Sequence, residues 1–156
     1  MINASTFRLD GRLALVTGSS AGIGLAIARG LAQAGAAIVL NGRQADKLDA
    51  AAQTLRHEGH TVHVCGCDVT DAAKVRAAVD GIEKDIGPIE ILVNNAGIQR
   101  RGPLHEFAES DWNDILRTNL DSVFFVAQSV ARHMIERKRG RIINICSVQS
   151  LSLIHI

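Results

Sequence analysis

Short runs of branched apolar residues alternate along this chain with longer stretches whose apolar residues recur every three or four positions, and that alternation restricts the fold more than any other feature. Leu13-Ala14-Leu15-Val16-Thr17, Ala37-Ile38-Val39-Leu40, Thr61 to Cys67, Ile91-Leu92-Val93 and Ile142-Ile143-Asn144-Ile145 read as strands. Between them, Ile23, Ile27 and Leu31, then Leu48, Ala51, Ala52 and Leu55, then Val75, Val79, Ile82 and Ile86 mark one face each of three helices. A fourth helix is expected from about Asp111 to Arg137, with Ser110 as its N-cap. Strands that are apolar throughout are buried on both faces, the condition of a parallel sheet covered by helices above and below. The expectation is a doubly wound α/β fold, whose ligands sit beyond the carboxyl ends of the strands.

The first of those ends carries three glycines, in Thr17-Gly18-Ser19-Ser20-Ala21-Gly22-Ile23-Gly24. Gly18 suits a tight turn, Gly22 lets a pyrophosphate approach the main chain, and Gly24 lets the helix lie close to the sheet. The unpaired N–H groups at the start of the helix then face the anion. A glycine-rich turn alone is weak evidence. A strand before it, a helix after it and a second strand about 20 residues on make dinucleotide binding the better reading.

Composition narrows the remaining classes. The 156 residues, 47% hydrophobic and 21% charged, are enough for one domain with a real core. A net charge of +1 offers no field for nucleic acid or an anionic membrane. No apolar run approaches the roughly 20 residues of a membrane helix, and Met1 to Thr6 lack the pattern of a secretory signal, so a cytoplasmic protein is expected. Cys65, Cys67 and Cys146 fit free thiols in a reducing compartment. His60, His63, Cys65 and Cys67 are crowded differently from a closed zinc site, so no metal is expected. The cations Arg132, Arg137, Lys138, Arg139 and Arg141 are explained by the helix dipole beside them.

Thr17-Gly18-x3-Gly22-x-Gly24, Asp68-Val69, Asn94-Asn95-Ala96-Gly97, Asn119 and Ser147, in that order, resemble the motifs of the short-chain dehydrogenase/reductase family from about residue 8 to residue 150. Gly97-Ile98-Gln99-Arg100-Arg101, Trp112-Asn113-Asp114 and Ile143-Asn144-Ile145-Cys146-Ser147 resemble its gluconate 5-dehydrogenase branch. The resemblance implies a Rossmann-type domain over residues 1–150, incomplete at five strands and lacking the family's C-terminal strands and helices. It leaves 151–156 as a truncated or non-native tail. It also implies that Ser19, Ser20, Ala21 and Ile23 line the cofactor with the three glycines, that Asp68 and Val69 hold the adenine, and that Asn95, Ala96 and Gly97 follow it at the fourth strand.

The second strand ends Leu40-Asn41-Gly42-Arg43 without the carboxylate that would bind the ribose hydroxyls of NAD. Arg43, with Asn41 beside it, suits the 2′-phosphate of NADP instead, and NADP is expected over NAD.

For catalysis the resemblance implies that Ser147 positions the substrate oxygen and Asn119 supports a proton relay, with a Tyr-x3-Lys pair supplying the proton. None of the 156 residues is tyrosine, so this polypeptide alone is expected to be close to inactive. Gln99, Arg100 and Arg101 stand where a substrate carboxylate can be gripped, which favours a sugar acid or polyol; a 3-oxoacyl thioester or another small ketone is the alternative. The resemblance implies a dimer or tetramer built on the long fourth helix. A dinucleotide-binding module without catalysis, or a fragment without function, are the competing readings of the same residues.

Overall fold

The computed structural model describes residues 7–147. Five strands, β1 (Leu13–Val16), β2 (Ala37–Gly42), β3 (Val62–Gly66), β4 (Ile89–Asn94) and β5 (Arg141–Asn144), form one parallel sheet in the order β3-β2-β1-β4-β5. Helices α1 (Gly22–Gln33), α2 (Ala45–His57), α3 (Ala72–Asp85), α4 (Glu109–Leu116) and α5 (Ser122–Arg137) alternate with the strands. The sheet is the expected doubly wound one, and the strand order reverses between β1 and β4. Ligand crevices of such sheets open at that reversal.

Two apolar layers hold it. Ala14, Val16, Ile38, Leu40, Ile91 and Val93 face Ala28 and Ala32 of α1 and Leu48, Ala52 and Leu55 of α2. Leu13, Leu15, Val39, Ile89 and Leu92 face Val75, Val79 and Ile82 of α3 and Val126, Val130 and Met134 of α5. Neighbouring residues of each strand go to opposite layers, as the pleat requires. Each fully buried leucine or isoleucine contributes about 1.5–3 kcal/mol, so the central strands anchor the domain. β5 is different: all four of its residues are exposed, and Ile142 and Ile143 sit on the open edge.

Several boundaries depart from the expectation. β4 starts at Ile89 and runs through Glu90, a charge inside an apolar run. It is tolerated because the nearly buried carboxylate pairs with Arg12, ahead of β1, and with Arg139 beyond α5, the latter at 2.9 Å. Below it, Arg137 donates to both oxygens of Glu83 at 2.6 and 3.0 Å and to the Ile89 carbonyl at 3.0 Å.

The fourth helix begins before Ser110, which lies in its first turn and is not the N-cap. Ala108 takes that place in extended conformation without a side-chain bond, while Glu109 and Asp111 complement the dipole. The helix is also interrupted. Arg117–Asp121 forms a π turn between α4 and α5, a widening that local periodicity does not announce. α5 stops at Lys138, which adopts a left-handed conformation with φ 53°, and Arg139 N–H bonds back to the Met134 carbonyl at 3.0 Å. Two residues on, Gly140 (φ 157°) leaves the space of a side chain to the Met134 thioether. Among the described residues no helix is long and apolar enough to cross a membrane. The expected tail, 151–156, lies outside the described residues.

Candidate cofactor cleft

The cleft forms because the carboxyl ends of β1, β2 and β4 are tied to one another by side chains. Thr17 is the central tie. Its buried hydroxyl oxygen accepts from Asn95 N–H at 2.9 Å and Ala96 N–H at 3.0 Å, joining the end of β1 to the loop after β4. Asn95 returns the link through Nδ2, which donates to the carbonyls of Thr17 at 3.0 Å and Gly18 at 3.1 Å.

Ser19 is fully buried. Its N–H donates to the Asn41 carbonyl at 2.9 Å, its hydroxyl donates to the Val16 carbonyl at 2.7 Å, and the same hydroxyl accepts Asn41 N–H at 3.0 Å. Ser19 is therefore a strut of the turn and not part of its open face. Asn41 is tied down too, although it lines the cleft: its Nδ2 donates to the carbonyls of Cys65 and Cys67, each at 3.0 Å, holding β2 to the end of β3.

The glycines behave as their spacing predicts. Gly18 (φ 62°) and Gly22 (φ 59°) both sit in the left-handed region. A Cβ on Gly18 would press on Ala96 Cα at 2.8 Å. A Cβ on Gly24 would collide with the Gly18 carbonyl and the Asn95 amide, so this glycine sets how closely α1 approaches the sheet. Gly22 looks onto open space. The first helical bond of α1 runs from Leu25 N–H to the Ala21 carbonyl at 3.3 Å, and the amides ahead of it belong to the first turn, where a helix has no intrahelical acceptor for them.

The resulting cleft encloses about 470 Å³. Of the residues expected around the cofactor, Gly18, Ser20, Ala21, Ile23, Gly24, Asn41, Arg43, Asp68, Val69, Asn95, Ala96 and Gly97 line it, and Ser19 and Gly22 do not. Gly42, Gln44, Cys67, Thr70, Ile98 and Thr118 line it too and were not foreseen. Their signal is weak in sequence, since each merely neighbours a motif residue. Thr17 had a stronger one: a hydroxyl at the end of a buried strand needs partners.

Two ionisable side chains meet where the ends of β2 and β3 border the cleft. Arg43 Nη1 lies 3.6 Å from Asp68 Oδ2. Asp68 Oδ1 accepts Thr70 N–H at 3.0 Å and the Thr70 hydroxyl at 2.8 Å. Burial opposes the Asp68 charge, but Thr70 and then Arg43 outweigh it and hold its pKa below the ordinary value. Cys67 goes the other way. Burial first, then the neighbouring Cys65 and acids, push its thiol up to about 11, so it faces the cleft as a neutral group.

At the opposite end, Asn119 lies in the π turn and clasps the backbone of Ile98, accepting its N–H at 2.8 Å and donating to its carbonyl at 2.9 Å. The π turn thereby fixes the loop after β4. Asn119, Gln99, Arg100 and Arg101 do not line the cleft themselves. Arg100 pairs with Asp111 of α4 at 3.4 Å. Gln99, with its amide turned to suit both groups, accepts from Arg101 at 3.1 and 3.2 Å. Ser147 is exposed and follows the end of β5, whose Asn144 accepts from Asn94 of β4 at 2.9 Å.

The chain matches the model of the short chain dehydrogenase family over residues 12–154. It is 56% identical over 150 residues to gluconate 5-dehydrogenase of Gluconobacter oxydans strain 621H, an alignment covering 96% of this chain and 59% of that protein. It is 50% identical to 5-keto-D-gluconate 5-reductase of Escherichia coli K12, over 92% of this chain and 57% of the other. Among solved structures, gluconate 5-dehydrogenase from Burkholderia cenocepacia J2315 in complex with NADP and tartrate superposes with a TM-score of 0.91 and 58% identity, covering 94% of this chain and 58% of that one. The chain thus spans less than two thirds of the length of these relatives.

Proposed function

This chain belongs to the short chain dehydrogenase family, and from that premise we propose that it is the dinucleotide-holding part of an NADP-dependent oxidoreductase that interconverts a secondary alcohol and a ketone on a sugar acid. The observation that carries the reading is the cleft: the first turn of α1 at its edge, the glycine turn of Gly18 and Gly24 that brings α1 close to the sheet, and Arg43 at the end of β2 in place of an acid. The donor set fits a dinucleotide diester. The amides ahead of Leu25 would take the diphosphate, Arg43 would take the 2′-phosphate, and Asp68 with Val69 would flank the adenine. When bound, the nicotinamide supplies the hydride acceptor or donor. NADP in the Burkholderia cenocepacia relative and the gluconate chemistry of the others support the cofactor and the substrate class.

The remaining roles are carried over from the family's motifs. Asn119 holds the loop that carries Gln99, Arg100 and Arg101, and Ser147 stands past the neighbouring strand, where a hydroxyl can orient the substrate oxygen. Arg100 and Arg101 supply charge for a carboxylate. No tyrosine stands among the 156 residues, and a positioned general acid is worth about 10²–10⁴-fold. This polypeptide by itself therefore binds cofactor without appreciable turnover. Its free cysteines accord with a cytoplasmic setting, and exposed Trp112, Phe124 and Ile135 on α4 and α5 accord with subunit association through those helices.

Fluorescence titration of the chain with NADPH and with NADH tests the cofactor reading: saturable binding is expected, tighter for NADPH, and no affinity for either would overturn it. Assay with gluconate and 5-ketogluconate is expected to show no rate above background. Clear turnover would refute the account of the missing acid.

A further inference from the structure

Arg43 does not wait alone at the end of β2. It lies beside Asp68, which arrives from the end of β3, and both side chains line the same end of the cleft. The two oxygens of Asp68 are divided in their duties. Oδ1 is committed to the turn through Thr70, while Oδ2 is turned to the guanidinium. Relying on the NADP reading above, we propose that Asp68 sets the cofactor preference of this cleft by competing with the 2′-phosphate for Arg43.

The competition has two components of the same sign. A phosphate at Arg43 must share a guanidinium already paired with a carboxylate, and it must come close to that carboxylate's own negative charge. Both effects act on NADPH and neither acts on NADH, which presents a neutral hydroxyl at that position. Any contact of Asp68 with the adenine is common to the two cofactors and cancels in the ratio of their affinities. The ratio therefore isolates the coupling. With Arg43 65% and Asp68 36% exposed, such a pair is worth a factor of up to about five.

Asp68→Asn is the informative substitution, because the amide oxygen can keep both Thr70 bonds while the charge is lost. NADPH and NADH dissociation constants are measured for the wild-type chain, Asp68→Asn, Arg43→Gln and the double variant, with circular dichroism confirming the fold of each. The NADPH-to-NADH preference is expected to rise about two- to fivefold in Asp68→Asn, to fall in Arg43→Gln, and to be no different in the double variant from Arg43→Gln alone. A preference that is unchanged or lowered in Asp68→Asn while Arg43→Gln reduces it overturns the competition and leaves the NADP reading standing. An unchanged preference in Arg43→Gln overturns both. A second readout needs no cofactor: the carboxyl ¹³C titration of Asp68 is expected to move to higher pH in Arg43→Gln, and a fixed midpoint would show that the pair does not form.

Discussion

The two ends of the same sheet are finished in opposite ways. At the amino ends, charges draw elements together: Glu90 joins Arg12 to Arg139, and Arg137 joins Glu83 to the start of β4. At the carboxyl ends, side chains are spent within and between loops so that the main chain stays open. Thr17, Ser19, Asn41 and Asn95 satisfy one another's backbone groups, and a cleft of about 470 Å³ remains in front of α1. Hydrogen bonds of similar length thus close one end and prop the other. Stability and ligand affinity should then be separable by end.

The largest effect is expected at the propped end. Gly24→Val puts a side chain into the Gly18 carbonyl and the Asn95 amide, and an overpacking cost of about 1–3 kcal/mol borne by the turn itself should weaken NADPH binding about 100-fold in a fluorescence titration. The matching cut at the closed end is Glu90→Ala. It strands two half-exposed arginines and should cost about 2 kcal/mol in urea unfolding, with cofactor affinity within about twofold of wild type. If it weakened binding as much as it weakened the fold, the separation of ends would be wrong. Thr17→Val leaves two part-buried amides without their acceptor and should lose about 1–2 kcal/mol of stability together with about tenfold in NADPH affinity. Asn119→Ala frees Ile98 and should cost about 0.5–1 kcal/mol, seen as faster amide exchange in the loop after β4.

The smallest effect is a control placed at neither end. Asp80 of α3 meets His133 and Arg132 of α5, and those bonds, His133 first, hold its pKa below the ordinary carboxylate value. A depressed folded-state pKa gives stability that is present above the unfolded value and lost as pH falls through the folded one. Asp80→Asn should therefore lower Tm by about 1–2 °C at neutral pH. The difference should fade as pH falls below the ordinary carboxylate range and Asp80 is protonated in the folded state too, and binding should not change.

Much of this is legible in the sequence. β1, β2 and β4 are legible because burial on both faces leaves unbroken apolar runs, and the glycine turn is legible because backbone geometry admits few residues at Gly18 and Gly24. What escaped reading depends on partners distant in sequence. Glu90 cut the apparent start of β4, since nothing local shows that Arg12 and Arg139 neutralise it. Ser110 has the composition of an N-cap, yet the extended residue that begins α4 is Ala108. Ser19 looks like a ligand contact because it stands in the motif, whereas its hydroxyl is engaged with the Val16 carbonyl and with the N–H of Asn41, 22 positions away. The π turn at Asn119 is fastened by bonds to Ile98, 21 positions away, which its neighbours in the chain do not announce.

The meeting of Gly140 with Met134 has an evolutionary consequence. At φ 157° the backbone is one that L side chains rarely adopt, and a Cβ there would also meet the Met134 thioether, so position 140 is held to glycine twice over while Met134 is free to shorten. A library that randomises position 140 will return glycine, whether or not position 134 is opened with it.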